Sequence, residues 1–313
     1  MTGLKTVALV LTAGCFGSVL QCQTPPALPK LGGYLQAREN YQTRRGLTAS
    51  LNRARVSVDG TAGGGFSYRI LVEYAVPPGG TAASVVSLRD AYIRWIRSAF
   101  TVTAGQFKVP FSREFLTSIT VLESADRSAV VDAIAPKRDL GLMAEYNWRS
   151  AITISVGAFN GEGQNQPTNR DSVVMIAARV TMRPVAYLSL AGNVARSGSD
   201  SSRYGIDAQF DYHGATLKVE YLGEHRGMVS RDDHGWFALA GFRVTPRLQL
   251  ILKNEDLERP SLALFQRNRA VTGGANLDLV PGKIRFIADY VSRKIGDPGQ
   301  RTGTLITQLQ VRF

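Results

Sequence analysis

Residues 302–313, TGTLITQLQVRF, close the chain on a run in which apolar and polar side chains alternate. With the two-residue period of a strand, Leu305, Leu309, Val311 and Phe313 share one face, and Thr304, Gln308, Gln310 and Arg312 share the other. A terminus that trails into solvent carries no such pattern, so the final aromatic residue belongs to an element used to its end. Alternation of this kind has two physical readings. In a soluble sandwich the polar face meets water and the apolar face fills a core. In a membrane barrel the apolar face meets lipid and the polar face encloses an aqueous interior.

The same pattern extends back to residue 31, in about sixteen segments of roughly ten residues each. In KIRFIADYVS (283–292), Ile284, Phe286, Ala288 and Tyr290 oppose Arg285 and Asp289, with Arg293 following on the charged face. In NRARVSVD (52–59), Ala54, Val56 and Val58 oppose Arg53, Arg55, Ser57 and Asp59. Within 215–224, Leu217, Val219 and Tyr221 oppose Lys218, Glu220 and Glu224. The connections alternate between short ones, such as RSA (97–99), TPR (245–247) and VPG (280–282), and long ones, such as GEGQNQPTNRDS (161–172) and LERPSLALFQRN (257–268). An antiparallel up-and-down sheet collects odd connections at one rim and even ones at the other. Two unlike rims, short turns against long loops, are the habit of transmembrane barrels. Tyr68, Tyr74, Tyr146, Tyr204, Tyr212, Trp236 and Phe242 fall near strand ends on the apolar face, where interfacial girdles sit. The fold expected is therefore all-β: a transmembrane antiparallel up-and-down β-barrel of about sixteen strands spanning 33–313, in the bacterial outer membrane.

Residues 1–22 set Lys5 before the apolar run Val7–Leu11 and then small residues, the layout of a secretory signal peptide, with cleavage expected near Cys22. A lipoprotein start at Cys15 would want a branched aliphatic residue three positions earlier, where Thr12 stands. Both cysteines, Cys15 and Cys22, lie in this leader, so no disulfide is expected in the exported chain. Residues 23–32 form a short tether. The net charge is +12, carried by 29 Arg and 8 Lys, which points to anionic partners. For an exported protein these are acidic lipid, including lipopolysaccharide, or small oxyanions, and not nucleic acid.

One connection is unlike the rest. Residues 110–137, PFSREFLTSITVLESADRSAVVDAIAPK, are long and partly apolar, and by parity they form the third connection on the long-loop rim. Connections of this length are usually functional. This one is expected to fold into the lumen. GQFKVPFSREFLTS (105–118), with RDAYIRW (89–95) upstream and RDLG (138–141) downstream, resembles the phosphate-selective porin O and P family. The matching positions are Gly105, Gln106, Phe107, Lys108, Pro110, Phe111 and Glu114, with Asp90, Ala91 and Tyr92 before them and Arg138 and Gly141 after. The resemblance implies a sixteen-stranded homotrimeric channel for small anions such as phosphate or pyrophosphate. The likeness of the last strand to those of outer-membrane proteins implies that Phe313 is read by the barrel insertion machinery.

An anion route needs a positive wall, and guanidinium groups supply fixed, bidentate donors to oxyanions. The expected selectivity region is Lys108, Arg113, Arg127, Lys137 and Arg138, with Arg53, Arg55 and Arg94 along the wall. Against this, residues 110–136 contain no lysine and hold Arg113 and Arg127 against Glu114, Glu123, Asp126 and Asp132. That net acidity favours a general or sugar-type porin, and a plugged structural barrel is a third alternative. Enzymatic activity is not expected: the three histidines, His213, His225 and His234, show no metal-ligand spacing, and passive diffusion requires no cofactor.

Overall fold

The computed structural model describes residues 28–43, 45–75, 85–170, 172–198, 201–227, 232–260, 266–296 and 299–313. The expected leader 1–22 and residues 23–27 of the tether lie outside the described residues. Sixteen strands follow one another: β1 (Lys30–Gln42), β2 (Gly46–Gly63), β3 (Phe66–Ala75), β4 (Val85–Arg97), β5 (Phe100–Lys108), β6 (Arg138–Trp148), β7 (Ile152–Phe159) and β8 (Met175–Val185). The second half comprises β9 (Leu188–Ser197), β10 (Ser201–Tyr212), β11 (Ala215–Arg226), β12 (Asp233–Arg243), β13 (Leu248–Arg259), β14 (Gln266–Val280), β15 (Ile284–Ile295) and β16 (Arg301–Arg312). Each pairs antiparallel with its sequence neighbours, and β1 pairs with β16, so the sheet closes on itself and leaves no edge.

The last residue makes the seam. Gly33 N donates to Phe313 O at 3.0 Å, and Phe313 N donates to Gly33 O at 3.1 Å. A Cβ on Gly33 would run into the Arg55 carbonyl oxygen and lie 2.6 Å from the Phe313 ring, so only glycine lets that ring cover the strand. Within β16 the expected faces are found: Leu305, Leu309 and Phe313 are exposed, while Gln308 and Gln310 are buried. The outward face carries an aromatic belt at each rim. Near the short turns, Phe100 stacks on Tyr146 at 4.7 Å, and Tyr187 meets Phe210 and Tyr212 at 5.6 Å. Near the long loops, Tyr41, Tyr74, Tyr204 and Trp236 are exposed.

The inner face departs from simple polarity along one arc. Leu222 of β11 and Phe237 and Leu239 of β12 are buried, with apolar residues or glycine as their neighbours on the other face, and Leu257 of β13 is a further buried apolar residue of this arc. They are covered from inside by the long connection, whose Phe111, Phe115, Val130, Val131 and Ile134 join them in one cluster with Phe107, Phe159 and Met175. Fully burying each of these side chains contributes about 1.5–3 kcal/mol. A barrel wall that is apolar on both faces is therefore the signature of a wall that carries something inside.

Candidate functional site

The long connection keeps a defined shape because serines cap it. Ser112 opens α1 (Arg113–Leu116), accepting from Phe115 N, and Ser128 opens α2 (Ala129–Ile134), accepting from Val130 N. Between them Ser118 caps a single 3-10 turn, Ile119–Val121. Each cap satisfies a backbone donor that a short helix would otherwise leave bare. β5, which leads into this segment, approaches β4 so closely that a Cβ on Gly105 would strike Ala91 O, and Gly105 sits at φ 123°, where other residues are strained.

Side chains on the inner face of β9, β11, β13 and β15 then hold the backbone of the connection. Asn193 Oδ1 accepts Ser112 N at 2.7 Å, Glu220 Oε2 accepts Glu114 N at 3.1 Å, Asp289 Oδ2 accepts Ala125 N at 2.8 Å and Glu255 Oε2 accepts Ala129 N at 3.2 Å. Cations of the same arc take its carbonyls and acids. Lys218 Nζ meets Glu123 Oε1 at 2.6 Å, Lys253 Nζ donates to Ser124 Oγ and Asp126 O at 3.0 Å each, and Arg38 of β1 pairs with Asp126 at 2.9 Å. Burial opposes the Asp126 charge, but Arg38 outweighs it and holds the carboxyl below its usual range.

Much of the expected selectivity region belongs to this fastening. Arg113 Nε donates to Asp207 Oδ1 at 2.5 Å, and its NH2 donates to Ser189 Oγ at 3.0 Å. Lys108 and Arg127 converge on the C-terminal end of α1. Lys108 Nζ donates to the carbonyls of Phe115, Leu116 and Thr117 at 2.8, 3.0 and 3.2 Å, and Arg127 NH2 donates to Thr117 O at 3.2 Å. Both cations stand over the Phe115 ring, at 5.5 and 5.0 Å. Burial draws the Arg127 guanidinium down to about 10, with Glu114 and Asp132 opposing. Burial pushes the Glu114 carboxyl up to about 7, against the pull of Lys253 and of the Ser128 N–H that its Oε2 accepts at 2.8 Å. Lys137 is exposed, apart from these groups.

Opposite the fastened arc, strands β2 to β6 face open space. On the short-turn side lies a cavity of about 580 Å³ lined by Arg55, Arg69, Arg94, Lys108, Arg138 and Arg312 against two carboxylates, Asp90 and Glu145. On the long-loop side is a second cavity, of about 520 Å³, with Arg89, Lys137, Arg138 and Arg203 against Asp132, Asp139 and Glu162. Arg138 lines both, its Nε donating to Asp90 Oδ1 at 2.7 Å. Arg55 is joined to Glu73 and stands 5.5 Å over Tyr34, with Arg53 3.8 Å from the same carboxylate. Arg94 donates to Thr103 Oγ1 at 3.2 Å and lies 4.9 Å over Tyr92, with no carboxylate in ion-pair reach among the described residues.

Arg89 is the residue that alternation misses. In β4, Asp90 faces Leu71 and Leu88 faces Val72, so Arg89 is an inserted, bulged residue. The bulge turns Arg89 inward beside Asp90, where it pairs with Glu73 and donates to Gln164 Oε1 at 2.8 Å. The signal was present as two adjacent charges in an alternating strand, since strict pleating would have put one of them in lipid. Among the described residues, no group of three or more His, Cys, Asp or Glu side chains is placed to hold a metal ion.

Comparison with known proteins agrees with this architecture. The sequence profile described as phosphate-selective porin O and P matches residues 33–222. In fold, the chain is similar to the outer membrane channel DcaP of Acinetobacter baumannii, at 15% identity and a TM-score of 0.68, covering 91% of this chain and 97% of that one. It is similar to an anion-selective porin from Comamonas acidovorans, at 14% identity and a TM-score of 0.65, covering 91% and 99%. OmpT of Vibrio cholerae, an outer membrane protein in trimer form, aligns at 11% identity and a TM-score of 0.65, covering 91% and 99%. No curated protein matches the chain in sequence.

Proposed function

Since this chain belongs to the phosphate-selective porin O and P family and is an outer-membrane porin, we propose that its channel passes small anions, with phosphate and pyrophosphate as the substrates to test first. The connection 109–137 narrows the lumen against β2 to β6, and solutes cross by diffusion past Arg94, Arg55 and Arg138. The observation that carries this reading is the cavity on the β2 to β6 wall, where Arg55, Arg69, Arg94 and Arg138 face two acidic side chains, Asp90 and Glu145. In a water path between low-dielectric walls, such an excess raises the local concentration of anions and lowers that of cations. The leader 1–22 directs export, residues 23–29 link it to the barrel, whose first strand takes in residues 30–32 of the expected tether, Phe313 serves the insertion machinery, and the working unit is a homotrimer in contact with lipopolysaccharide.

A general porin with little charge preference is the second reading. It is favoured by the pairing of Arg53, Arg55 and Arg89 with the single carboxylate of Glu73, which keeps part of the positive charge local. Reversal potential of the refolded protein in a planar bilayer under a KCl gradient separates the two. A potential directed to chloride equilibrium supports the anion channel, and a value near zero supports the general porin. Phosphate that fails to reduce chloride current at any concentration would remove phosphate as a substrate.

A further inference from the structure

The inner face of a barrel that carries water is expected to be polar, and an apolar side chain there needs a covering or a use. Along β11 to β13 the covering is the docked connection. On the opposite wall, Leu71 of β3, Tyr92 of β4, Phe107 of β5 and Met143 of β6 also turn inward, and all four line the 580 Å³ cavity. Leu71 and Phe107 are buried, whereas Tyr92 and Met143 stand half-buried at the margin of the apolar cluster. The connection adds Leu116 and Ile119 to the same lining. One cavity thus combines an apolar strip with the arginines of the proposed anion route.

Register places the two chemistries at a fixed spacing. Arg94 lies directly opposite Thr103 of β5, and Thr103 directly opposite Met143, so Arg94 and Met143 stand in one row, two strand spacings or about 10 Å apart. Tyr92 is on the same face of β4 two residues from Arg94, its ring 4.9 Å from the guanidinium and edge-on to Phe107 at 6.1 Å. Arg94 uses only Nε on the wall, donating to Thr103 Oγ1 at 3.2 Å, so its terminal N–H groups remain for an anion. Glu145, two residues beyond Met143 on the same face of β6, lines the cavity too and accepts from Ser155 Oγ at 3.0 Å. Its charge repels the head of an anionic ligand from the Met143 end. The head therefore belongs at Arg94 and the body over Met143.

We propose that this cavity binds anions that carry an apolar body, aromatic monocarboxylates being the simplest. The carboxylate takes the terminal N–H groups of Arg94, and the ring lies against Tyr92, Phe107 and Met143. The inference rests on the anion-channel reading and names a substrate class for that route. The volume is that of a small-molecule site, well beyond what a bare oxyanion fills, and apolar walls with a few convergent polar groups are the usual makeup of such sites. A bare oxyanion gains nothing from the strip, whereas a ring removed from water against it adds to the attraction of Arg94.

The test uses the full mature chain refolded into planar bilayers at low salt and neutral pH, with acetate and benzoate as a matched pair that shares the carboxylate and differs in the body. Partly burying the ring is expected to let benzoate halve the chloride current at about a 10-fold lower concentration than acetate. Benzyl alcohol, which keeps the ring without the charge, should block far more weakly than benzoate. Met143→Thr is expected to weaken benzoate by about 5-fold and acetate by less than about 2-fold, while Arg94→Gln should weaken both by the same factor. Heat-modified mobility on gels checks that each variant forms the barrel. The comparison of benzoate with acetate on the parent needs no variant, and it decides the proposal by itself if Met143→Thr does not fold. Benzoate and acetate blocking at equal concentrations, benzyl alcohol blocking as well as benzoate, or a folded Met143→Thr that keeps the full benzoate preference overturns the assignment. Reversal potential in a KCl gradient is read on the same membranes. A value near zero, or no conductance, refutes the anion channel on which the site rests, whereas an anion-directed value with no benzoate preference refutes the apolar site alone.

Discussion

Arg94→Gln isolates one charge of the proposed anion route. Its guanidinium lines the 580 Å³ cavity, is held by Thr103 Oγ1 at 3.2 Å and by the Tyr92 ring, and has no carboxylate in ion-pair reach among the described residues. An ion passing about 5 Å away in water interacts with it by about 0.8 kcal/mol. At 0.1 M salt, where the screening length is about 10 Å, roughly 0.5 kcal/mol of that remains. The interaction favours an anion and disfavours a cation, so the two differ by about 1 kcal/mol, or about 5-fold in permeability ratio. At 1 M salt the screening length is about 3 Å and the same ratio changes by less than about 2-fold. Reversal potentials of parent and variant, measured in bilayers at both ionic strengths, should therefore separate at low salt and nearly merge at high salt. No separation at low salt, or an equal one at both strengths, would refute the assignment of Arg94 to the water path.

Glu73→Gln should act with the opposite sign, since removing the carboxylate leaves Arg55, Arg53 and Arg89 uncompensated. Anion preference is expected to rise in the same bilayer assay while thermal stability falls by about 3 kcal/mol, the usual penalty for breaking a buried pair. Gly33→Leu forces a side chain into the Arg55 carbonyl and the Phe313 ring, and should lower the temperature at which the barrel loses its compact form on gels; an unchanged transition would show that the seam tolerates a Cβ. Glu114 carries a pH dependence with a definite sign. Its folded carboxyl titrates near 7 against an ordinary value of 4.5, so between those values the folded chain holds the proton that the unfolded chain releases. Docking of the connection should therefore be firmest below about pH 4.5 and weaken as pH rises to about 7. Cleavage by trypsin after Arg127, followed from pH 5 to 8, should increase in the parent and stay nearly flat in Glu114→Gln.

The barrel was legible because lipid enforces a rule on every strand. A charge facing hydrocarbon is costly, so the outward set in β15 and β16 could be read residue by residue, and the two rims followed from loop parity. What was not legible arose where that rule is relaxed. Of the five register shifts among the described residues, three lie next to the short turns and two fall inside the wall, where each inserts a residue: Asn52 between the Ala37–Leu51 and Gln36–Arg53 pairs, and Arg89 between Leu88 and Asp90. Strict alternation cannot place such residues. The apolar inner face of β12 was equally hidden, because HGWFALAGFRV reads the same whether its second face meets lipid, a core or a docked segment. Site residues were the least accessible. Lys108, Arg113 and Arg127 have the right charge near the right segment, but sequence carries no sign that backbone carbonyls and Asp207 consume that charge.

The docking pattern also bears on the net acidity of the connection, which in sequence argues against an anion route. Its acids do not face the open side of the lumen evenly. Glu123 meets Lys218, Asp126 meets Arg38, and Glu114 accepts Ser128 N within the segment itself. Its carbonyls are taken by Lys253, by Gln310 at 3.0 Å and by Asn276 at 2.6 Å. Glu123 and Asp126 are thus paired with individual cations of the arc the connection sits on, from β11 round to β1, an arc whose own Glu220, Glu255 and Asp289 accept backbone N–H groups of the connection. What the pairing leaves over is the wall from β2 to β6, whose excess of arginine has no docked segment to cancel it. Local charge on the water path can therefore be positive although the segment bounding it is negative, because the two sets of charges answer to different surfaces of the barrel.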